Sequence, residues 1–366
     1  MYTLSKGRNF ISTVVSAVIF LSGICGADIH AQNSEIRTTL EKAQPLFSQD
    51  TITLCFMGDV MMHAKQIETG NFQTYFSLIK DRIEEADLAV ANMEFTLAGE
   101  PYSGYPCFSA PDSYATYLAD CGFDVFLAAN NHILDKGSEG AKRTADIYRK
   151  MQERGIMFTG LAGSEEERKS NYPLIVRKKW LSMAMVNFTY GTNLGNTAQW
   201  PKTNYMGSRA EVLQALKDSE KADFTIVLPH WGPEYMLKHS ENQEKTAEWL
   251  VENGADIIIG AHPHVVQDTA SINGVPVIYS LGNAVSNMSA PNTQLELMAT
   301  VKFVRHSNGD ISMEPTELTW LWCSRPGGFN NGYTVVPIEE YIGRRDEWTG
   351  GWDYDKMMAT YEEIRK

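Results

Sequence analysis

The chain lacks any basic cluster. Its 366 residues carry 32 Lys and Arg against 45 Asp and Glu, a net charge of −13, and no stripe gathers the cations. This excludes sequence-independent nucleic-acid binding, which depends on Lys and Arg neutralising phosphates, and disfavours adhesion to anionic lipid headgroups. Cysteine is also scarce. The five present (Cys25, Cys55, Cys107, Cys121 and Cys323) form no C-x-x-C pair and no framework of spacings. Neither a disulfide scaffold nor a catalytic thiol is indicated. Cys55, inside an apolar run, reads as a small buried hydrophobe. No internal repeat or low-complexity tract is visible, so a solenoid or fibrous architecture is excluded.

A long apolar stretch is present at Phe10–Ile24, preceded by Lys6 and Arg8 and followed by small residues, with Ile29-His30-Ala31 before Gln32 as a cleavage site. This is the pattern of an export signal over residues 1–31. An uncleaved anchor is the alternative. Leu21-Ser22-Gly23-Ile24-Cys25 also resembles a lipobox, but Ile24 stands where a small residue belongs, so lipidation ranks below simple secretion. The expectation is an exported protein of the periplasm or cell envelope, touching a membrane only through its signal or a lipid anchor.

Residues 32–50 are polar and aperiodic and read as a linker. From Thr51 onward, apolar runs of strand length alternate with segments of helical spacing, an α/β pattern of parallel neighbours with right-handed crossovers. Phe72–Glu85, Ser113–Cys121, Ser138–Arg154, Ser208–Lys221, Asn242–Asn253 and Asp353–Arg365 read as helices, with Ser138 as an N-cap. Leu174–Arg177 and Ser182–Phe188 read as a hairpin. Leu295–Val304 and Ile311–Trp322 flank the turn Ser307-Asn308-Gly309-Asp310 and read as an antiparallel pair at a sheet edge. The expected organisation is one α/β domain over 51–290, with a hairpin-and-helix extension over 291–366 packed on it.

Five apolar runs end in residues of metal-ligand type: Thr51–Gly58 then Asp59; Asp87–Met93 then Glu94; Phe123–Ala129 then Asn130, Asn131 and His132; Phe224–Pro229 then His230; and Asp256–Ala261 then His262 and His264. In open α/β sheets, sites form just beyond the carboxyl ends of the strands. Each residue also has a plainer role available. Asp59 can cap a helix starting near Val60, Glu94 can be a solvated turn carboxylate, and His230 or the His262-Pro263-His264 pair can simply be hydrogen-bonded. His63, four residues after Asp59, and Asn92 are additional candidates. Asp135 can orient His132, and Glu234 can act as general acid/base or as an outer partner. Mixed Asp, Glu, Asn and His donors without thiolates suit a catalytic centre of divalent cations of the Mn, Fe or Zn class, one or two in number.

Phe56-Met57-Gly58-Asp59, Asn92-Met93-Glu94, Ala129 to His132 with Asp135-Lys136-Gly137, His230 to Tyr235, Gly260 to His264 and Ser280-Leu281-Gly282-Asn283 together resemble the capsule-synthesis CapA family. That family is associated with poly-γ-glutamate biosynthesis within the calcineurin-like metallophosphoesterase superfamily. The resemblance implies a four-layer α/β/β/α sandwich with a two-metal site and a role in capsule formation. By position, Asp59 and His264 would hold one cation, and Asn131, His230 and His262 the other, with Glu94 between them. Asn283 is a further candidate, and His132 would assist the leaving group. The substrate class implied is a phosphoester or an anionic polymer, handled with other envelope biosynthesis proteins. The chain departs from the phosphoesterase pattern twice: Met61 stands where a histidine is expected, and Glu94 replaces an aspartate. A non-catalytic component that binds the polymer or helps export it is therefore the alternative.

Overall fold

The computed structural model describes residues 50–195 and 198–366; the leader and nearly all of the 32–50 linker lie outside them. Sixteen strands form among the described residues. In chain order they are β1 (Asp50–Val60), β2 (Leu88–Met93), β3 (Val125–Leu127), β4 (Met157–Thr159), β5 (Leu161–Ala162), β6 (Leu174–Lys178), β7 (Leu181–Thr189), β8 (Lys202–Thr203), β9 (Phe224–His230), β10 (Ile257–Ile259), β11 (Thr269–Ile272), β12 (Val275–Ile278), β13 (Leu295–Arg305), β14 (Ile311–Met313), β15 (Glu317–Ser324) and β16 (Thr334–Pro337). One sheet runs β16-β15-β13-β1-β2-β3-β4 and the other β11-β12-β10-β9-β7-β6, while β5 and β8 pair separately. Both sheets are parallel at their centres, with β1–β4 in the first and β7-β9-β10-β12 in the second.

Alternation along the strands explains the layers. Cys55, Met57, Ala89 and Ala91 pack with Ala141, Ala145, Tyr148 and Met151 of the helix Gly137–Met151. In the second sheet Val186, Phe188, Val227 and Ile258 pack with Val212 and Leu216 of Arg209–Ser219 and Leu250 of Glu241–Glu252. The residues between them, Leu54, Phe56, Leu88, Val90, Ile226, Leu228, Ile257 and Ile259, point to the opposite faces and are equally buried. Both faces of both sheets are thus covered, as parallel sheets require, and the fold is an α/β/β/α sandwich. No helix among the described residues is long and apolar enough to cross a membrane.

Several local expectations are corrected. Lys136, not Ser138, is the N-cap of Gly137–Met151. Residues 73–79 make turns, and a helix proper forms only over Lys80–Glu85. The predicted edge pair is antiparallel, with Leu295 opposite Trp322, but β13 lies inside the sheet between β15 and β1, and β16 is the edge. The long apolar run Leu295–Val304 reflects that interior place, because a strand with neighbours on both sides and cover on both faces has few polar positions. Phe303–Glu314 groups with Asp50 and Thr51 as a small unit of its own. In it Phe303 pairs with Met313 across the turn, and Asp50 pairs with Arg305.

Candidate metal centre

Each site residue is placed by a strand end. Asp59 lies in β1, which continues to Val60 and does not become a helix there; the next helix, Ala64–Thr69, is capped by His63. A bulge shifts the register so that Met57 faces Ala91 but Asp59 faces Asn92, leaving Gly58 as the extra residue. A Cβ on Gly58 would overlap the carbonyl oxygen of Gly282, so this close approach requires glycine. Glu94 follows β2, Asn131 and His132 follow β3, His230 ends β9, and His262 and His264 follow β10. His262 (φ 99°) and His264 (φ 59°) both have left-handed backbones on either side of Pro263. Such strain costs on the order of 1–3 kcal/mol per residue and concentrates at functional sites.

The two sheets bring these ends together. Asp59 Oδ1 accepts from Asn92 Nδ2 at 2.6 Å and Oδ2 from the His262 backbone N–H at 3.1 Å; His264 Nδ1 is 3.2 Å from Oδ2. Asn92 Nδ2 also reaches His230 Nδ1 at 3.2 Å, which makes that nitrogen an acceptor and leaves the proton on Nε2, 2.9 Å from Asn131 Oδ1. His264 Nδ1 meets Asn283 Oδ1 at 2.9 Å. His132 Nδ1 is 2.7 Å from Asp135 Oδ2, and Asp135 is itself fixed by the Phe108 N–H at 2.8 Å.

Glu94 is fully buried, and neither of its carboxylate oxygens has a hydrogen-bond partner among the described residues. Its Oε1 lies 3.7 Å from His230 Nε2, 3.7 Å from His264 Nε2 and 4.0 Å from His132 Nε2. Asn92 Oδ1 and His262 Nδ1 are buried without partners as well. Two clusters meet the geometry of a cation site, Glu94–His262–His264 and Asp59–Glu94–His230, and they share Glu94. This grouping crosses the one implied by family position, in which His262 stands with His230. A carboxylate with two free oxygens is the donor that can serve both. The orphaned buried atoms and the N/O donor set fit divalent cations.

Electrostatics carry the same message. Burial, then the charges of Asp59 and Glu234, push the Glu94 carboxyl well above the usual range. Burial also pushes Asp59 up, but the hydrogen bond from His264 and the charges of His230 and His264 outweigh it and hold Asp59 low. Burial brings His230 down to about 3, although the Asp59 charge opposes this, and it brings His262 well below the usual histidine value, helped by His230 and His264. Burial thus disfavours the charged forms of His230 and His262, which suits ligation, because a cation binds neutral imidazole.

The pH dependence follows with definite signs. Buried neutral His230 and His262 have folded pKa values below their unfolded ones, so their contribution is lost as pH falls below about 6.5. Glu94 and the buried Glu296, whose carboxyl burial also raises, have folded values above their unfolded ones, so their contribution is lost as pH rises above about 4.5. Between these limits the two effects oppose. Unfolding of the chain in EDTA is expected to show a broad stability maximum near pH 4.5–6.5, declining by up to about 1.4 kcal/mol per pH unit per group on either side. Stability in EDTA that kept climbing from pH 6.5 to 8 would show that Glu94 is not a buried neutral acid.

Other candidates take different places. His63 is drawn away from Asp59: its Nδ1 accepts from Asn287 N–H at 3.2 Å and lies 3.3 Å from Gln66 Oε1. Met61 is buried, and its carbonyl accepts from Gln66 Nε2 and Tyr114 Oη. Glu234 is exposed at the rim. Sequence reasoning missed three contributors. Tyr190 lies over His262 at 4.5 Å between ring centroids. Asn193 reaches His132 Nδ1 at 3.3 Å. Asn187 accepts from Ala129 N–H at 2.9 Å and so braces the Asn130–His132 loop. Only Asn187 had a signal, as a polar residue inside the apolar run Leu181–Thr189.

The family described as Bacterial capsule synthesis protein PGA_cap matches residues 53–288. Among curated relatives, the PGA biosynthesis protein CapA of Bacillus subtilis is 26% identical over 286 residues, 74% of this chain and 73% of that protein. The Capsule biosynthesis protein CapA of Bacillus anthracis is 28% identical over 284 residues, 74% of this chain and 67% of that one. Among solved structures, the NAD nucleotidase of Haemophilus influenzae covers 86% of this chain and 67% of its own, with 13% identity and a TM-score of 0.42.

Proposed function

Because the chain belongs to the bacterial capsule synthesis family PGA_cap, we propose that it is an exported cell-envelope protein of capsule or poly-γ-glutamate biosynthesis that acts as a metal-dependent hydrolase of the phosphoesterase type. The observation that carries the chemistry is Glu94, a fully buried carboxylate with both oxygens free, shared by two clusters of cation-binding geometry. Asp59, Glu94, Asn131, His230, His262 and His264 would hold the ions. Divalent ions there would supply Lewis acidity and a water of near-neutral pKa.

The protein's own groups do the rest. Asp135 fixes the His132 ring through Nδ1 and leaves Nε2 facing the site, 4.0 Å from Glu94, in position to hand a proton to a departing oxygen. Asn92 bridges Asp59 and His230 and keeps both in register. Tyr190 covers His262 and limits water on that side.

A test is hydrolysis of bis(p-nitrophenyl) phosphate by metal-loaded chain against His262→Ala. The variant is expected to lose on the order of 10²-fold or more in rate. Met61, in place of a ligand, favours the second reading, a binding component without turnover. Equal rates in both proteins, or none in either with metal loaded, would select that reading.

A further inference from the structure

Arg325 follows the last residue of β15 and opens the turn Arg325–Asn330, closed by Gly328 N–H to Arg325 O at 2.8 Å and Gly327 N–H to Asn330 O at 2.7 Å. Its Nε and Nη2 are buried and meet no acceptor among the described residues. A guanidinium cannot shed its proton, and a buried charge without a partner is costly. A nearby acid, Asp353, is already engaged: Ser324 Oγ donates to its Oδ2 at 2.6 Å and Gln294 Nε2 to its Oδ1 at 3.3 Å. A second cation stands here. Lys356 Nζ donates to Gln294 Oε1 at 2.5 Å, lies over the Trp322 ring, and is lowered by burial and by the Arg325 charge. Two cations thus stand together here in a chain of net charge −13.

One loop, Asn283 to Asn287, links this region to the metal centre. Cys323, two residues before Arg325, contacts the Ser286 carbonyl. Asn283 holds His264, and Asn287 holds His63. The segment from Asn283 to Asn287 can span no more than about 14 Å.

We propose that Arg325, assisted by Lys356, is an oxyanion-binding subsite beside the metal centre. A planar fork with free N–H groups matches the two oxygens of a carboxylate or phosphate. The anion assigned is a carboxylate of a γ-glutamyl chain whose other part lies at the metal centre; that assignment rests on the function proposed above, whereas the subsite does not.

The experiment is titration of the full chain in EDTA with γ-glutamyl tetrapeptide and, in parallel, with inorganic phosphate. Binding is followed by calorimetry and by the arginine Nε–H resonances. The wild type is expected to bind the peptide more tightly than phosphate and to move one Nε–H resonance that is missing in Arg325→Gln. Arg325→Gln is expected to bind at least ten-fold more weakly, with Arg325→Lys intermediate, and its melting temperature without ligand is expected to equal or exceed that of wild type. Preference for phosphate rejects the γ-glutamyl assignment and keeps the oxyanion site. Equal affinities of wild type and both variants for both probes, or an unmoved Arg325 resonance in wild type, overturn the subsite. Because metal is withheld, failure of hydrolysis or of metal binding leaves this result unaffected.

Discussion

Glu94→Gln is expected to abolish the stabilisation that divalent cations confer while making the metal-free chain more stable at alkaline pH. The two effects have opposite signs for one reason. Glu94 is buried with both oxygens unpartnered, so its ionisation is disfavoured in the empty centre and is needed in the loaded one. An amide of the same shape removes both the ionisable group and the carboxylate that the two clusters share. With metal at about 100 times its dissociation constant, wild type gains about 2.7 kcal/mol, on the order of 5 °C in melting temperature for a chain this size. Thermal melts of both proteins at pH 8, in EDTA and in Mn, check this. A Gln variant that kept the metal-induced shift would remove Glu94 from the centre.

The second large effect is expected at Gly58, whose side chain is a single hydrogen. Gly58→Ala sets a Cβ against the carbonyl of Gly282, a backbone atom that cannot turn aside, and against Leu281 Cβ at 3.3 Å. The β1 bulge must then shift. Its N–H also donates to the buried Glu296 Oε1 at 3.1 Å, so that bond is lost or strained too. Destabilisation of about 1–3 kcal/mol is expected from overpacking. Because Asp59 is the next residue, its 2.6 Å bond from Asn92 is disturbed, and a misplacement of about 1 Å can cost 10²-fold in activity. Gly207→Ala, where nothing lies within 4 Å of the added carbon, is the control and should be silent. Denaturant unfolding with metal titration distinguishes the two, and matching curves would refute the close-approach argument.

Met61 marks the corner where sequence and structure part. The sequence offers His63 as an additional candidate four residues after Asp59, with a helix starting near Val60. The strand instead runs through Val60, and His63 becomes the N-cap of the following helix, turned to Gln66 and Asn287. Asn92, not His63, makes the side-chain contact with Asp59, and its amide ties Asp59 to His230. Helix start signals depend on local residues alone, and these were overridden because β1 gains parallel pairing with β2 through Val60–Met93.

The sequence by itself determined the central parallel strands, the donor-type residues at their ends and the family, while the short or peripheral strands β4, β5, β8, β11 and β16 had no legible signal. Apolar runs of four to eight residues and the donors that follow them are local features, and a parallel α/β sheet places such ends together. Tertiary structure alone decided which donors meet. Asp59 and His264 are far apart in sequence, and their 3.2 Å approach depends on two sheets packing face to face with a glycine bulge between. The interior place of β13, the free oxygens of Glu94, the brace from Asn187 and the unpartnered Nε and Nη2 of Arg325 are likewise products of long-range packing and burial. No periodicity along the chain encodes them, because burial of a polar group is a property of its surroundings in space.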